Sequence, residues 1–404
     1  MRNSYSLHLR KKLRVFFLLS IIMLSVLLPG TVFSASSEEL PVEAEHAILI
    51  EAETGRILYE KNTGEKAYPA SLTKIMTLIV AMEALEEGLV DWEDEITVSE
   101  NAWRTRGSQM YLEHNQRITF RELIKGIAII SANDACVAVA EHIYGSENVF
   151  VNRMNQKASE LGLENTNFVN TSGLHEEEHY TTAKDISIMA LHLIQNYPEA
   201  TSYQAETSFT FNDIKQYNRN PLLESFKGTD GVKTGRTGES GYSLAASTQR
   251  DGLRFISVVM KNESNEEREQ DSKILLNHAF NNYGLYSIKE KGEILERVPV
   301  KQGVENTVPV KPKGELVVVL SGPEKDRVST EVTFNEELSA PVKEGEIVGE
   351  VKVELDGEVL AQAELVTGDS VEELGFFASV WDSMKNFFIG LAQMAWEGIT
   401  GIFG

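Results

Sequence analysis

The chain has 404 residues, of which 42% are hydrophobic and 25% charged, a composition typical of a globular protein longer than one ordinary domain. Its formal net charge of −23 lacks the basic footprint that nucleic-acid binding requires. One cysteine excludes an intramolecular disulfide, and no His/Cys group has zinc spacing, so we expect neither a metal nor another cofactor.

The N-terminus is predicted to be a secretory signal peptide. Five Lys or Arg residues precede the apolar run 15–28, and small residues near Ser34 form a cleavage-like site. The alternative is a retained membrane anchor, but the apolar run is short for a bilayer span. Cleavage after residue 34 would change the formal net charge from −23 to −28.

The first predicted elements are a β-hairpin and a helix. Residues 47–51 and 56–60 flank a Glu-Thr-Gly turn and predict two paired strands. A nearly continuous apolar stretch up to residue 85 then predicts a buried central helix that opens at Pro69. Proline suits the first turn of a helix, so Ser71 is expected at its N-terminal end.

Residues from about 92 to 200 are predicted to be mostly helical. The pair Thr119 and Glu122 has capping-box spacing before an apolar helix. The tetrad 131–134 interrupts that helix, and a second helix over 135–144 could be capped by Asn133 or Asp134. The tetrad is therefore predicted to lie on a tight connection between two helices.

Strand patterns return after this helical region. The predicted strands and the helix that closes this part are residues 229–237, 242–248, 253–260 and 267–280. Together they predict an antiparallel sheet with helices before and after it and a helical insertion between.

The last third of the chain changes character. Short alternating strands at residues 315–320 and 328–334 precede a hairpin over 351–365, which predicts a separate all-β domain with a spacer or docking role. Residues 376–403 then predict a helix with one apolar face rich in Trp and Phe. Such a helix suits a membrane interface; docking on the same protein or a dimer contact are the alternatives.

Three short motifs carry chemistry. Ser71 and Lys74 are three residues apart, and on a helix they face the same way. A lysine can accept a serine proton only if its pKa is depressed, which burial and a nearby cation such as Lys233 would achieve. The alternative assigns Ser71 to a helix start and Lys74 to the surface.

The other two motifs offer groups for a substrate. Ser131 and Asn133 supply a hydroxyl and an amide for proton relay and substrate binding, although both residues could simply cap a helix. On a strand, Lys233 and Thr234 offer a cation and a hydroxyl to a carboxylate, and Gly235 allows another chain to approach closely. A strand-edge lysine before a turn is the plain alternative.

The ordered motifs Ser-x-x-Lys, Ser-x-Asn and Lys-Thr-Gly resemble the signature of penicillin-binding proteins and serine β-lactamases. Four longer stretches, residues 69–77, 167–174, 179–185 and 231–238, are similar to blocks of the low-molecular-mass D-alanyl-D-alanine carboxypeptidases. The resemblance implies an α+β, β-lactamase-like transpeptidase fold, in which an antiparallel sheet is flanked by helices and a helical lobe. It also implies four segments: a signal peptide (1–34), a catalytic domain (35–284), an all-β domain (285–370) and an amphipathic membrane-anchoring helix (371–404).

The resemblance further implies removal of the terminal D-alanine from peptidoglycan pentapeptides ending in D-Ala-D-Ala, with β-lactams as inhibitors. Ser71 would form the acyl-enzyme, Lys74 would accept its proton, and Ser131 would shuttle a proton to the departing D-alanine. The implied localisation is the outer face of the bacterial membrane or the cell wall, with the C-terminal helix on the membrane surface. The motifs are compatible with vegetative growth or sporulation, and transpeptidases share them.

The resemblance also assigns a substrate-binding set: Asn133, Lys233, Thr234, Gly235, Arg236 and Arg219. The backbone N–H groups of Ser71 and Arg236 would form the oxyanion hole. Arg219 matches a family arginine that helps to bind the terminal carboxylate. Arg236 departs from the side chains often found after Lys-Thr-Gly in the family and would add a cation beside that carboxylate.

Two other functions compete with this one. A class A β-lactamase needs a glutamate in a Glu-x-x-Leu-Asn pattern, and the nearest match, at Glu160, lacks the asparagine. The all-β domain and the terminal helix have no place in such an enzyme. A non-catalytic wall-binding protein could keep the fold, but all three motifs are intact.

Overall fold

The structure is a computed structural model that describes residues 40–375 except residue 291. The predicted signal peptide and residues 376–404 of the predicted C-terminal helix lie outside the described residues. Residues 371–375, the predicted start of that helix, are not helical, because Val371 and Glu373 form β-bridges with Val342 and Gly303. Within residues 40–375, no helix is long and apolar enough to cross a membrane.

A five-stranded antiparallel sheet organises the first part of the chain, with the strand order β2-β1-β9-β8-β7. The strands are β1 (His46–Glu51), β2 (Ile57–Lys61), β7 (Thr229–Thr237), β8 (Gly241–Arg250) and β9 (Leu253–Asn262). Two small antiparallel strand pairs complete this part: β3 (Glu95–Thr97) with β4 (Arg117–Thr119), and β5 (Ser208–Phe211) with β6 (Ile214–Tyr217). The predicted hairpins and antiparallel sheet are confirmed.

The helices pack around this sheet. They are α1 (Lys74–Glu86), α2 (Glu100–Arg104), α3 (Phe120–Ile130), α4 (Asn133–Tyr144), α5 (Glu147–Glu160), α6 (Ala183–Asn196), α7 (Pro198–Gln204), α8 (Leu222–Ser225) and α9 (Asn265–Asn282). Helix α1 is buried almost along its whole length, as its apolar sequence predicts. The prediction of helix over most of 92–200 fails between α5 and α6, where turns and isolated bridges connect the two helices.

The start of the central helix differs from the prediction. Residues Ala70–Thr73 form a 3-10 turn with Pro69 as its N-cap, and the α-helix begins only at Lys74. Ala70 has a φ of +47°, which a right-handed helix does not allow, so the helix cannot begin before Ser71. Ser71 therefore lies in a tight turn immediately before the helix.

The connection between α3 and α4 also differs in part. The capping box is confirmed, since the Thr119 side chain accepts from Glu122 N and the Glu122 side chain accepts from Thr119 N. The prediction that Asn133 or Asp134 caps α4 is wrong, because Ala132 is the N-cap and has no side-chain hydrogen bond. Asp134 instead accepts hydrogen bonds from the backbone N–H groups of residues 110 and 112, at 3.1 Å each.

The second part of the described chain is rich in β-strands, as predicted. A six-stranded sheet has the order β14-β16-β17-β12-β11-β15, and β10 pairs with β13 beside it. The strands are β10 (Tyr283–Lys289), β11 (Glu296–Lys301), β12 (Thr307–Pro312), β13 (Leu316–Ser321), β14 (Val328–Phe334), β15 (Leu338–Ser339), β16 (Ile347–Leu355) and β17 (Glu358–Thr367). This part has a hydrophobic core of its own, separate from that of the first part. The predicted boundary at residue 284/285 stays a prediction.

Arg56 joins the two parts through ion pairs with Glu324 and, at 4.0 Å, with Glu358. The Arg56 guanidinium, next to β2, binds both carboxylate oxygens of Glu324 and donates to the carbonyl of Val319 at 3.2 Å. The Arg56 and Glu324 side chains are each only 10% exposed. This contact is a well-shielded link between the sheet of the first part and the β-rich part.

Candidate active site

The Ser71 turn and the start of α1 bring two of the predicted residues together. Lys74 Nζ lies 3.2 Å from Ser71 Oγ, and it also donates to Asn133 Oδ1 at 2.7 Å and to the carbonyl of Ser172 at 2.6 Å. The Lys74 side chain is 0% exposed. A protonated lysine has three N–H donors, so these three contacts use all of them.

The same contacts orient the neutral amine. Asn133 Oδ1 and the Ser172 carbonyl can only accept, so they hold two N–H bonds of an unprotonated Lys74. Its lone pair then faces Ser71 Oγ. Burial, which is the largest cause, and repulsion from the Arg219 guanidinium lower the pKa of Lys74 to about 8. Lys74 is thus positioned and tuned to take the Ser71 proton.

Ser131 ends α3 and Asn133 begins α4, where Asn133 contacts Lys74. Ser131 ends α3 with a φ of +64°. Its hydroxyl is buried and has no hydrogen-bond partner among the described residues. Asn133 uses both ends of its amide, since Nδ2 donates to the carbonyl of Arg106 at 2.8 Å while Oδ1 accepts from Lys74. This use by Lys74 explains why Asn133 does not cap the helix.

Strand β7 brings the Lys-Thr-Gly motif to the Ser71 turn. Gly235 lies so close that an added β-carbon would be 2.8 Å from the carbonyl oxygen of Pro69. Only glycine therefore lets the strand approach without a shift. Lys233 and Thr234, the two residues before Gly235 on this strand, are also buried.

The cations of the site lower each other's pKa. Burial lowers the pKa of Lys233 well below its ordinary value, and repulsion from Lys74 and Arg219 lowers it further. Such repulsion is mutual by Coulomb's law, so the expectation that Lys233 acts on Lys74 is consistent with this arrangement. The surplus of positive charge makes the site electrostatically suited to a carboxylate.

Three arginines lie near this end of the site. Arg219 donates to Ser108 Oγ at 2.7 Å, and its carbonyl accepts from Arg268 at 3.3 Å. Arg268, which sequence reasoning missed, is buried, and burial lowers its pKa to about 10. Arg236 is exposed and lies 4.9 Å from the ring centre of Tyr242.

The loop at residues 170–174 is a second feature that sequence reasoning gave no role. Asn170 Oδ1 accepts from the backbone N–H groups of Ser172, Gly173 and Leu174 at 2.7–3.2 Å. This turn aims the Ser172 carbonyl at Lys74. The Asn-Thr-Ser-Gly sequence signals a turn, but not its contact with residues a hundred positions earlier.

His179 connects the Ser71 turn with the segment that precedes the 170–174 loop. Its Nδ1 accepts from the Val169 N–H at 3.2 Å, so the proton is on Nε2, which donates to Thr73 Oγ1 at 2.8 Å. Burial, and secondarily Lys74, lowers the pKa of His179 to about 4. The ring is therefore neutral at physiological pH, and its hydrogen bond holds Thr73, the residue before Lys74.

Cys136 takes no part in this chemistry. It is buried in α4, and burial raises the pKa of its thiol to about 12. In the part of the chain that the structure describes, no group of three His, Cys, Asp or Glu side chains could hold a metal ion.

Comparison with known proteins matches both parts of the chain. The family described as D-alanyl-D-alanine carboxypeptidase matches residues 32–264, and the family described as penicillin-binding protein 5, C-terminal domain, matches residues 283–373. The D-alanyl-D-alanine carboxypeptidase DacF of Bacillus subtilis is 38% identical over 357 residues, which cover 87% of this chain and 92% of DacF.

Two solved structures are also similar. Penicillin-binding protein 5 of Haemophilus influenzae is 36% identical with a TM-score of 0.71, and the match covers 82% of this chain and 98% of that one. The cefotaxime-bound form of penicillin-binding protein D2 of Listeria monocytogenes is 30% identical with a TM-score of 0.55. That match covers 60% of this chain and 98% of the Listeria chain.

Proposed function

The chain belongs to the D-alanyl-D-alanine carboxypeptidase family, and from that premise we propose that Ser71 is the residue acylated during the reaction. The protein is a serine D-Ala-D-Ala carboxypeptidase that binds penicillin and acts in peptidoglycan remodelling. The observation that carries the assignment of Ser71 is its contact with a buried lysine whose other two contacts are fixed acceptors.

Acylation begins with proton transfer from Ser71 to neutral Lys74. Ser71 Oγ attacks the carbonyl carbon of the penultimate D-alanine, and the negative charge that develops on the carbonyl oxygen is stabilised by the backbone N–H groups of Ser71 and Arg236. Gly235 supports this role because it lets β7 approach the Ser71 turn.

Ser131 then passes a proton to the leaving amine. Its buried hydroxyl is free of partners among the described residues, so it can accept a proton from protonated Lys74 and donate its own to the departing D-alanine. The C–N bond breaks, and an ester remains on Ser71. Water hydrolyses this ester and restores the free serine.

The substrate's terminal carboxylate binds at the cationic end of the site. Lys233 and Thr234 offer an ammonium and a hydroxyl, and Arg219 offers a guanidinium for two parallel hydrogen bonds. Asn133 holds the substrate amide. A pentapeptide ending in D-Ala-D-Ala supplies the carboxylate and the scissile carbonyl.

β-Lactams are proposed to acylate the same serine. Penicillin-binding protein D2 of Listeria monocytogenes, similar to this chain, has been solved in a cefotaxime-bound form. A β-lactam offers the Ser71 hydroxyl a strained amide carbonyl and presents a carboxylate to the same cations. Inhibition follows if hydrolysis of the resulting ester is slow.

The ion pairs of Glu160 disfavour the competing class A β-lactamase function. Hydrogen bonds from Lys157 and Arg153 hold the pKa of this carboxylate at about 2. A carboxylate paired with two cations is a poor base for the water that deacylates the enzyme.

The location of the protein is also a proposal. A signal peptide over 1–34 would direct secretion, and an amphipathic helix over 376–404 would hold the protein on the outer surface of the membrane. Residues 376–404 lie outside the described residues. Binding of the full chain to lipid vesicles, compared with a chain ending at residue 375, tests this proposal.

Release of D-alanine from a peptide ending in D-Ala-D-Ala tests the proposed role of Ser71. The wild type is expected to release D-alanine and Ser71→Ala is not. Release by Ser71→Ala at the wild-type rate would contradict the role of Ser71, and rapid hydrolysis of penicillin without release of D-alanine would favour the β-lactamase.

A further inference from the structure

The loop at residues 170–174 is held by a carboxylate that has no role in the steps above. Glu147 is the first residue of α5, and its Oε1 accepts from the Thr171 N–H at 3.0 Å and from Thr171 Oγ1 at 2.7 Å. Because one carboxylate oxygen takes both donors, it fixes the backbone and the side chain of Thr171 at the same time.

Thr171 is also held from its other side. Thr77 Oγ1, on α1, donates to the Thr171 carbonyl at 2.6 Å. Thr77 follows Lys74 by three residues, so the two side chains lie on the same face of α1. Thr171 is 0% exposed, and its N–H, carbonyl and hydroxyl are all bonded within the protein. It is therefore a fixed point between α5 and the helix that carries the base.

The next residue makes the contact with Lys74. Ser172 follows Thr171 directly, and its carbonyl accepts from Lys74 Nζ at 2.6 Å. Consecutive α-carbons are about 3.8 Å apart, so the chain has no slack between the two residues. Asn170 shapes the loop from within, because its partners are residues of the same loop. A shift of Thr171 is therefore passed on to the carbonyl that holds the base.

We propose that Glu147 is a positioning residue for acylation, because its hold on Thr171 keeps the next carbonyl on Lys74. That carbonyl and Asn133 Oδ1 are the two acceptors that orient the neutral amine. With only one acceptor left, the amine can rotate about its C–N bond, and its lone pair faces Ser71 for a smaller fraction of the time. This inference rests on the proposed function, because it acts through Lys74 as the base.

Helix α5 also supplies a matched control. Asn155, on the same helix, donates from Nδ2 to the Phe168 carbonyl and accepts at Oδ1 from the Phe168 N–H, at 2.8 Å each. Asn155 and Glu147 thus each hold the same stretch of chain with two hydrogen bonds. Phe168 is four residues before Ser172, so a change at Asn155 removes as many bonds without releasing the residue next to the Ser172 carbonyl.

Acylation of the full-length protein by labelled penicillin, followed by rapid quench between pH 6 and 10, tests the proposal. Glu147→Ala is expected to lower the plateau rate constant about tenfold, since a misplaced catalytic group costs up to about two orders of magnitude. Asn155→Ala should keep the wild-type rate constant. The amplitude of labelling measures the fraction of folded protein, so a variant that only folds less well loses amplitude and keeps its rate constant.

The midpoint of the pH profile should move as well. The Ser172 carbonyl accepts from the protonated amine, so losing this contact disfavours the charged form and lowers the pKa of Lys74. Glu147→Ala should therefore shift the midpoint to lower pH while it lowers the plateau, and Asn155→Ala should shift neither. The other titratable or charged groups near Lys74 are the same in both variants: Asp134, Cys136, His179, Arg219 and Lys233.

Glu147→Gln separates position from charge. Glutamine keeps an oxygen that can accept from both Thr171 donors but carries no charge, so its rate constant and midpoint should stay close to those of the wild type. Equal slowing by Glu147→Gln and Glu147→Ala, or by Glu147→Ala and Asn155→Ala, would overturn the inference and leave the carboxypeptidase intact. A flat wild-type profile, or no labelling of Ser71, would instead overturn the roles proposed for Lys74 and Ser71.

Discussion

Gly173 lies directly against the carbonyl group of Ala70, and a β-carbon on Gly173 would be only 1.7 Å from the Ala70 oxygen. Ala70 in turn precedes Ser71 and has a φ of +47°. The close approach of these two residues lets the loop before α6 deliver the Ser172 carbonyl to Lys74. The geometry of the nucleophile thus depends on one glycine far away in the sequence.

Gly173→Ala is predicted to damage both stability and acylation. Its φ of +82° disfavours alanine, and the new methyl group must also displace the Ala70 carbonyl. We expect the free energy of unfolding to fall by at least about 3 kcal/mol and acylation by penicillin to slow. Gly145→Ala, with a φ of +79° and open space, is the control and should cost about 1 kcal/mol without slowing acylation. Equal effects of the two variants would contradict this account.

The rate of acylation is predicted to rise with pH through the pKa of Lys74. Only the neutral amine can take the Ser71 proton, and its fraction grows as the pH approaches and passes about 8. The acylation rate measured with labelled penicillin between pH 6 and 10 should therefore increase and then level off. Lys74→Met should slow acylation at least about 100-fold. A flat profile for the wild type would count against Lys74 as the base.

Asn133→Asp is predicted to move that pH profile upward. A carboxylate in place of the amide would lie about 2.7 Å from Lys74 Nζ and would favour the protonated amine. The midpoint of the acylation profile should rise, and the rate at pH 7 should fall. Asn133→Ala removes the contact without adding charge and serves as the comparison. A midpoint that stays in place or falls would contradict the prediction.

Ser131→Ala is predicted to lower activity strongly while leaving stability nearly unchanged. The hydroxyl has no protein partner among the described residues, so its removal breaks no hydrogen bond. The free energy of unfolding should change by less than about 0.5 kcal/mol, while kcat/KM for D-alanine release falls about 100-fold or more. Unchanged kcat/KM would exclude Ser131 as the proton shuttle.

Arg56→Ala is predicted to weaken the link between the two parts of the chain. Both partners are largely shielded, so removing one should lower the free energy of unfolding by about 2 kcal/mol. Arg327→Ala is the control, because its pair with Asp356 is more than half exposed and should contribute less than about 0.5 kcal/mol. Similar losses from both variants would contradict a special role for Arg56.

The contribution of the Arg56–Glu324 ion pair to stability should also depend on pH. Burial alone would raise the pKa of Glu324, but the hydrogen bonds from Arg56 and Ser321 outweigh burial and hold it below the ordinary value of 4.5. A lowered carboxylate pKa stabilises the folded state above pH 4.5, and this contribution is lost as the pH falls through the lowered value. The stability difference between wild type and Arg56→Ala should shrink in that range.

Much of the fold follows from local sequence patterns. The alternating strands on either side of Asp251 and Asp356 predict the observed hairpins, because turn residues and side-chain alternation act over a few positions. The capping box at Thr119 is local in the same way. Helix α1 is recognisable because its apolar residues leave no polar face.

The features that the sequence did not predict depend on contacts between distant residues. The helix start moved from Pro69 to Lys74 because Ala70 is fixed against Gly173 and Gly235. Asn133 does not cap α4 because Lys74, 59 positions away, uses its side chain. Arg268 approaches the site only because α9 packs on the sheet. Patterns in one sequence window contain none of this information.

The most direct test of the central claim is to locate the covalent adduct by mass spectrometry. Full-length protein is treated with penicillin, digested and mapped, and the same is done with a peptide ending in D-Ala-D-Ala under rapid acid quench. Both treatments are predicted to place the added mass on the peptide that contains Ser71, with none on Ser71→Ala. An adduct on another residue, or equal labelling of Ser71→Ala, would contradict Ser71 as the nucleophile.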